Sequence, residues 1–160
     1  MQDSTPVTKA LDEKGIPYRF FRHSGKVRSL EQAARERGQG PEQVVRSILF
    51  RVAEGEYVLV LVAGPQQLSW SALRSYLGVS RMTMATPAEV LEVTGYPTGA
   101  VSPFGLPQPV RTLVDRNIRK EEEISLGSGL RNTTVIIKRA DMLRALGEVE
   151  FGDFVEGEKE

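Results

Sequence analysis

The sequence predicts an α+β fold in one domain, and three observations lead there. Its 160 residues match the size of one domain, and 40% hydrophobic content supplies a core. Segments of strand character come in runs with helical segments inserted, without strict alternation. No G-x-G-x-x-G or P-loop pattern marks a doubly wound nucleotide-binding sheet. A mixed, mostly antiparallel sheet flanked by helices follows.

Thr5-Pro6 reads as an N-cap followed by proline at the first helical position, so a helix runs to about Lys14 and stops at Gly15. "IPYRFF" is a strand. Ser29 opens "SLEQ", a capping-box pattern, and the helix behind it ends near Gly38 and Gly40. "VVRSILFRV" and "EYVLVLVA" are strands joined by "AEGE" as a hairpin. The second is apolar on both faces, the pattern of a central strand. Ser69 caps "SWSALRSYLG", where Trp70 and Tyr76 read as packing residues, and "RMTMA" is a short strand. Thr86 and Glu89 form a second capping box with Pro87 in the first turn. "VRTLVD", "EISLGSG" and "TTVIIK" are three further strands, and "ADMLRALG" closes the domain as a helix. The domain is read as residues 1–150, with 151–160 as an acidic C-terminal tail.

Composition removes several function classes. The chain has no cysteine, hence no disulfide framework, thiolate chemistry or zinc–sulfur site. With one histidine, His23, it has no multi-histidine metal cluster. No apolar run spans a bilayer, and the first residues lack a signal-peptide core, so a soluble cytoplasmic protein without membrane contact is expected. Net charge is zero, against a strongly nucleic-acid-binding surface, and no DNA partner is expected. The distribution is uneven: "EVEFGDFVEGEKE" holds six acids and one lysine, leaving a net of +5 on residues 1–147. "RFFRHSGKVR" carries Arg19, Arg22, Lys26 and Arg28 without an acid, a pattern that suits either phosphates or a solvated loop.

Two stretches carry the chemical signal. In "EQVVRSILFRV" strand alternation puts Val44, Arg46, Ile48 and Phe50 on one face. A charge among apolar residues either snorkels to water or holds an anion. "GYPTGAVSPFGLPQPV", residues 95–110, is too rich in glycine and proline for helix or central strand. Its Tyr96, Val101, Phe104 and Leu106 also make it unlike a disordered linker. Such a loop either connects two layers rigidly or brings backbone N–H groups close to a ligand.

These segments together resemble the YbaK/ProX family of aminoacyl-tRNA deacylases, which includes the editing domain inserted in bacterial prolyl-tRNA synthetases. The likeness runs over roughly residues 5–147. It rests on "TKALDEKGIPYRFFRH", "PEQVVRSILF", "YVLVLVAGPQQLSWSALRSYLG", "TLVDRNI" and "SLGSGLRNTTVIIKRADML" in order, and most specifically on the G-x-x-x-P loop Gly99–Pro103. The resemblance implies a barrel-like mixed sheet and hydrolysis, in trans, of the ester between a mischarged small amino acid and the terminal adenosine of tRNA. It implies no metal or organic cofactor and no covalent enzyme intermediate. Aminoacyl-tRNA is the implied partner through its acceptor end, prolyl-tRNA synthetase a possible associate, and the chain a monomer or weak dimer.

Residue by residue, the resemblance puts Gly99, Ala100, Val101 and Pro103 around the aminoacyl end, with Ser102 either adding a hydroxyl or serving as a turn residue. Arg46 falls on the family's lysine. The replacement is not conservative, because a guanidinium is planar, bulkier and permanently charged. Tyr18, Phe20, His23, Gly127 and Asp141 are further substrate-side candidates. Each has an ordinary alternative: core packing for Tyr18 and Phe20, a satisfied loop imidazole for His23, a turn for Gly127, and first-turn helix stabilisation for Asp141. Arg19, Arg22, Lys26 and Arg28 are the candidate tRNA contacts. A non-catalytic module of the same fold, binding the CCA end or an amino-acid-like ligand, is the alternative that Arg46 keeps open. An esterase of small free esters lacks a nucleophile motif.

Overall fold

The structure is a computed structural model that describes residues 4–157. α1 (Pro6–Glu13) starts at Thr5, whose hydroxyl accepts from the Thr8 N–H and whose own N–H donates to the Thr8 hydroxyl. β1 (Arg19–Arg22) follows, then α2 (Leu30–Glu36), capped by Ser29 and ended at Arg37. Gln32 does not close the box on Ser29. Its amide oxygen takes the Arg28 N–H at 2.8 Å and its nitrogen donates to Lys26 O at 3.1 Å, which fastens the basic segment to the helix.

A single 3-10 turn, Pro41–Gln43, leads into β2 (Val45–Ala53), which hairpins into β3 (Glu56–Ala63). Next come α3 (Trp70–Leu77), β4 (Thr83–Met84) and α4 (Pro87–Thr94), the last with its Thr86–Glu89 capping box formed. β5 (Arg111–Asp115), β6 (Glu123–Gly127), β7 (Thr133–Lys138), α5 (Arg139–Leu146) and β8 (Glu150–Gly152) complete the chain.

The strands form two sheets, ordered β1-β7-β6 and β4-β2-β3-β5-β8. Four strand pairs are antiparallel; β5 runs parallel to both β3 and β8. Between the sheets the ladder contact is one parallel bridge, Val44 to Ser125. The result is an opened barrel, as the mixed-sheet reading expects.

β3 is apolar on both faces because both are buried. Leu59 and Leu61 face a core shared with Val45 and Leu49 of β2, Leu126 of β6, Val135 of β7 and Leu11 of α1. Val58, Val60 and Val62 face a second core with Phe50, Leu73 and Phe154. Trp70 packs here as expected, edge-on to Phe50, whereas Tyr76 stays exposed with its ring edge-on to Phe154 at the rim.

The acidic tail reading needs correction. The boundary at 150 falls inside β8, and Phe154 is 1% exposed in the second core. Phe154 N–H donates to Asp115 Oδ1 at 2.6 Å, and its carbonyl accepts from Ser69 N–H. The acids here lie on the solvent side of a segment whose aromatic residues are internal. Residues 158–160 fall outside the described residues. Among the described residues no helix is long and apolar enough to cross a membrane.

Candidate functional site

Where the two sheets part, beside the Val44–Ser125 bridge, lies a cavity of about 490 Å³. Its walls come from β2 (Arg46, Ser47, Ile48), the ends of β6 and β7 (Gly127, Thr133, Thr134), the loop at Gly99 and Val101, and α2 with its leading segment. A second compartment of about 560 Å³, lined by His23, Lys26, Arg131 and Asn132, adjoins it. The two share Val27, Arg37, Gly99 and Thr133. Among the described residues, five cations and no carboxylate line this cleft: Lys26, Arg28, Arg37, Arg46 and Arg131.

The Gly-Pro loop is held from behind. Tyr96, 2% exposed, donates its hydroxyl to Phe104 O at 2.5 Å, and burial pushes its pKa up to about 12. Gly99 has φ +91°, a conformation L side chains rarely adopt. Ala100 is buried and joins the loop to the turn after β6, its carbonyl accepting from Gly129 N–H at 3.0 Å. The N–H groups of Gly99 and Val101 donate to no acceptor among the described residues. Ser47, on β2, contributes a buried hydroxyl without a hydrogen-bond partner among the described residues.

Arg46 lines the cavity, but its guanidinium is engaged by the protein. Nε donates to Gly64 O at 2.9 Å and one terminal nitrogen donates to Gln66 O. Burial lowers its pKa. Two neutral carbonyls thus stabilise this charge from within the protein.

Arg37 had no role in the sequence reading. Its Nε donates to His23 Nε2 at 3.2 Å and its NH1 to Ser125 Oγ at 2.8 Å. Since Nε2 accepts, the His23 proton sits on Nδ1, which donates to Glu36 Oε1 at 2.5 Å. His23 is therefore an internal orienting group, 4% exposed. Gln32 Nε2 holds the other Glu36 oxygen, and hydrogen bonds from Gln32 and His23 keep that carboxyl below its usual pKa. Burial brings the Arg37 pKa down to about 10, still charged at neutral pH. No sequence pattern marks Arg37, because its partners lie 14 and 88 residues away.

Other candidates fall elsewhere. Ser102 is fully buried and its Oγ accepts from Phe104 N–H at 3.2 Å, a turn role that leaves it outside the cleft lining. Pro103 is partly buried and lines neither compartment. Tyr18 and Asp141 meet in a separate surface hollow with Arg19; Tyr18 donates to Asp12, and Asp141 accepts from Arg144. Phe20 packs against the main core opposite Val135. Of the four basic candidates, Lys26 and Arg28 line the cleft. Arg19 pairs with Glu123 at 3.5 Å and Arg22 stacks over Phe20, both outside it.

Fold and cleft define an α+β domain with an open, cation-lined site between two sheets. Residues 24–145 match the profile of the aminoacyl-tRNA editing domain. The Multifunctional Ser/Thr-tRNA deacylase ProXp-y of Escherichia coli K12 is 31% identical over 138 residues, covering 84% of this chain and 82% of that one. A proline--tRNA ligase of Kosmotoga olearia is 36% identical over 101 residues, 63% of this chain and 17% of the ligase. A solved structure of a candidate trans-editing enzyme for prolyl tRNA synthetase superposes with a TM-score of 0.87 at 26% identity, covering 98% of this chain and 99% of that one. The chain belongs to the aminoacyl-tRNA editing domain family, the YbaK/ProX family of aminoacyl-tRNA deacylases, and is related to the editing domain of prolyl-tRNA synthetase.

Proposed function

We propose that this chain is a trans-acting deacylase that hydrolyses the ester of a mischarged small amino acid on tRNA. The observation that carries this reading is the loop wall: the Gly99 and Val101 N–H groups are unpartnered among the described residues, and both residues line the cavity. An ester carbonyl seated there would meet donors already held in place, which favours the oxyanion of the transition state over the neutral ester. The ester is activated, so water assisted by the tRNA's own 2′-hydroxyl suffices and no side-chain nucleophile is required. The aminoacyl group would occupy the compartment beside Ser47, whose unpartnered hydroxyl favours a substrate with a polar group to meet it. With the Escherichia coli relative's name, this makes serine and threonine the first amino acids to test, ahead of alanine, cysteine and proline.

The test is a deacylation screen over a panel of charged tRNAs. Release of a small amino acid is expected to outrun release of phenylalanine. Discrimination between neighbours differing by one methylene stays within ~1–3 kcal/mol, so several small residues are cleared. Equal rates for phenylalanyl- and alanyl-tRNA would sink the reading. Binding of charged tRNA without any hydrolysis would establish instead a recognition module of the same fold.

A further inference from the structure

We infer that Arg37 is the phosphate-binding cation of the cleft, and that it takes the phosphodiester on the 5′ side of the terminal adenosine. The inference deepens the editing reading and rests on it for the source of that phosphate. Arg37 sits where the two compartments join. Its Nε and NH1 are fixed by His23 and Ser125, both neutral, while its NH2 has no partner among the described residues. The neighbouring carboxylate of Glu36 is occupied by His23 and Gln32, and Arg37 makes no ion pair among the described residues. A half-buried guanidinium with a free edge, no direct ion pair and no acid in the surrounding lining is a receptor for an oxyanion, with Glu36 acting on it only through space. Lys26 and Arg131 line the second compartment with it and would neutralise the approach of further phosphates. Arg46 likewise has two nitrogens held, by the Gly64 and Gln66 carbonyls, but it lines the first compartment alone, whereas Arg37 faces both. The geometry thus divides the cleft, with the phosphate at Arg37 and the aminoacyl group between Gly99, Ser47 and Gly127.

The test follows uncharged tRNA binding to wild type, Arg37→Gln, Arg37→Lys and Arg144→Gln between about 50 and 200 mM salt, the range over which phosphate contacts show. Arg37→Gln is expected to weaken binding roughly tenfold and lower the log–log salt slope by about one, whereas Arg144→Gln, outside the cleft and paired with Asp141, leaves the slope unchanged. Arg37→Lys keeps the charge and an intermediate affinity. tRNA lacking its terminal adenosine should lose the difference between wild type and Arg37→Gln. A second arm needs no variant: His23 is the single histidine, so its ring resonances report the site, and 5′-AMP should shift them in the wild-type protein. Equal tRNA affinity and slope in Arg37→Gln and wild type, or no His23 response to millimolar AMP, overturns the assignment. Arg37-dependent binding in a protein that deacylates no tRNA leaves the phosphate site standing and removes the editing reading.

Discussion

Gly127 lies flush against Val101: a Cβ on Gly127 would come within 2.1 Å of the Val101 carbonyl oxygen. The end of β6 and the Gly-Pro loop thus meet backbone to backbone, and no side chain fits between them. Gly127→Ala must push the loop away from the strand. Destabilisation of about 2–3 kcal/mol is expected, together with loss of deacylation. Thermal unfolding and a deacylation assay on the best substrate check both; an alanine variant with wild-type melting and turnover would show that the loop moves freely.

Gly99 gives the opposite case. Its substituent would meet only Arg131 Nε, at 4.0 Å, yet its φ of +91° penalises any side chain. Gly99→Ala and Gly99→Val should each cost ~1–3 kcal/mol and remain folded. Hydrolysis should fall more steeply than stability, and further for valine, because this residue lines both compartments. Full activity in a folded Gly99→Val protein would reduce the loop to a connector.

Arg46→Ala removes two donors from the carbonyls of Gly64 and Gln66. A loss of about 1–3 kcal/mol is expected, or roughly 5 °C in Tm for a chain of this size. Arg46→Lys retains a charged donor and should lose less of both stability and turnover. An unchanged Tm in Arg46→Ala would mean that these hydrogen bonds contribute nothing net.

Arg111 grips Glu150 with two hydrogen bonds of 2.8 Å and Tyr76 adds a third, tying β5, β8 and α3 together. The Arg111 hydrogen bond, with help from Tyr76, depresses the Glu150 pKa to about 2. The group's stabilisation is therefore complete above the ordinary value of 4.5 and is lost as pH falls towards 2. The pair is substantially exposed, so Glu150→Gln should cost at most about 1 kcal/mol near neutrality. The difference between variant and wild type should vanish in acid, as urea titrations at several pH values will show.

Phe154→Ala opens the second core and should cost about 3–5 kcal/mol. Urea unfolding measures it. A cost within 0.5 kcal/mol, roughly the limit for an exposed position, would restore the reading of this segment as a tail.

That last case shows how legibility in the sequence failed locally. Six acids in "EVEFGDFVEGEKE" outweigh two phenylalanines in composition, yet Phe154 enters the second core while Glu150 and Asp153 pair with arginines at the surface. The elements from Thr5 to Leu146 were readable because caps, glycines and apolar alternation are local signals. The two-sided apolarity of β3 likewise revealed its central place. The parallel pairing of β5 with β3 was not readable, since α3, β4 and α4 intervene and no local pattern records the return. The loop at Gly99 was visible through its glycines and prolines. Arg37 was not, because an arginine ending a helix in "ARERGQG" looks like any solvated cap until His23, just past β1, and Ser125, in β6, are brought against it.

The single bridge between Val44 and Ser125 makes the cleft a seam. Each sheet keeps its own ladder intact, and across the seam the two are joined by the side chains of their shared core in place of a strand pair. Under the proposed function, the polymer end would meet the protein along this line of side-chain contact. The stiffness of the joint, set by how tightly Val44 and its neighbours pack on β6, becomes the quantity that trades speed of entry against firmness of grip.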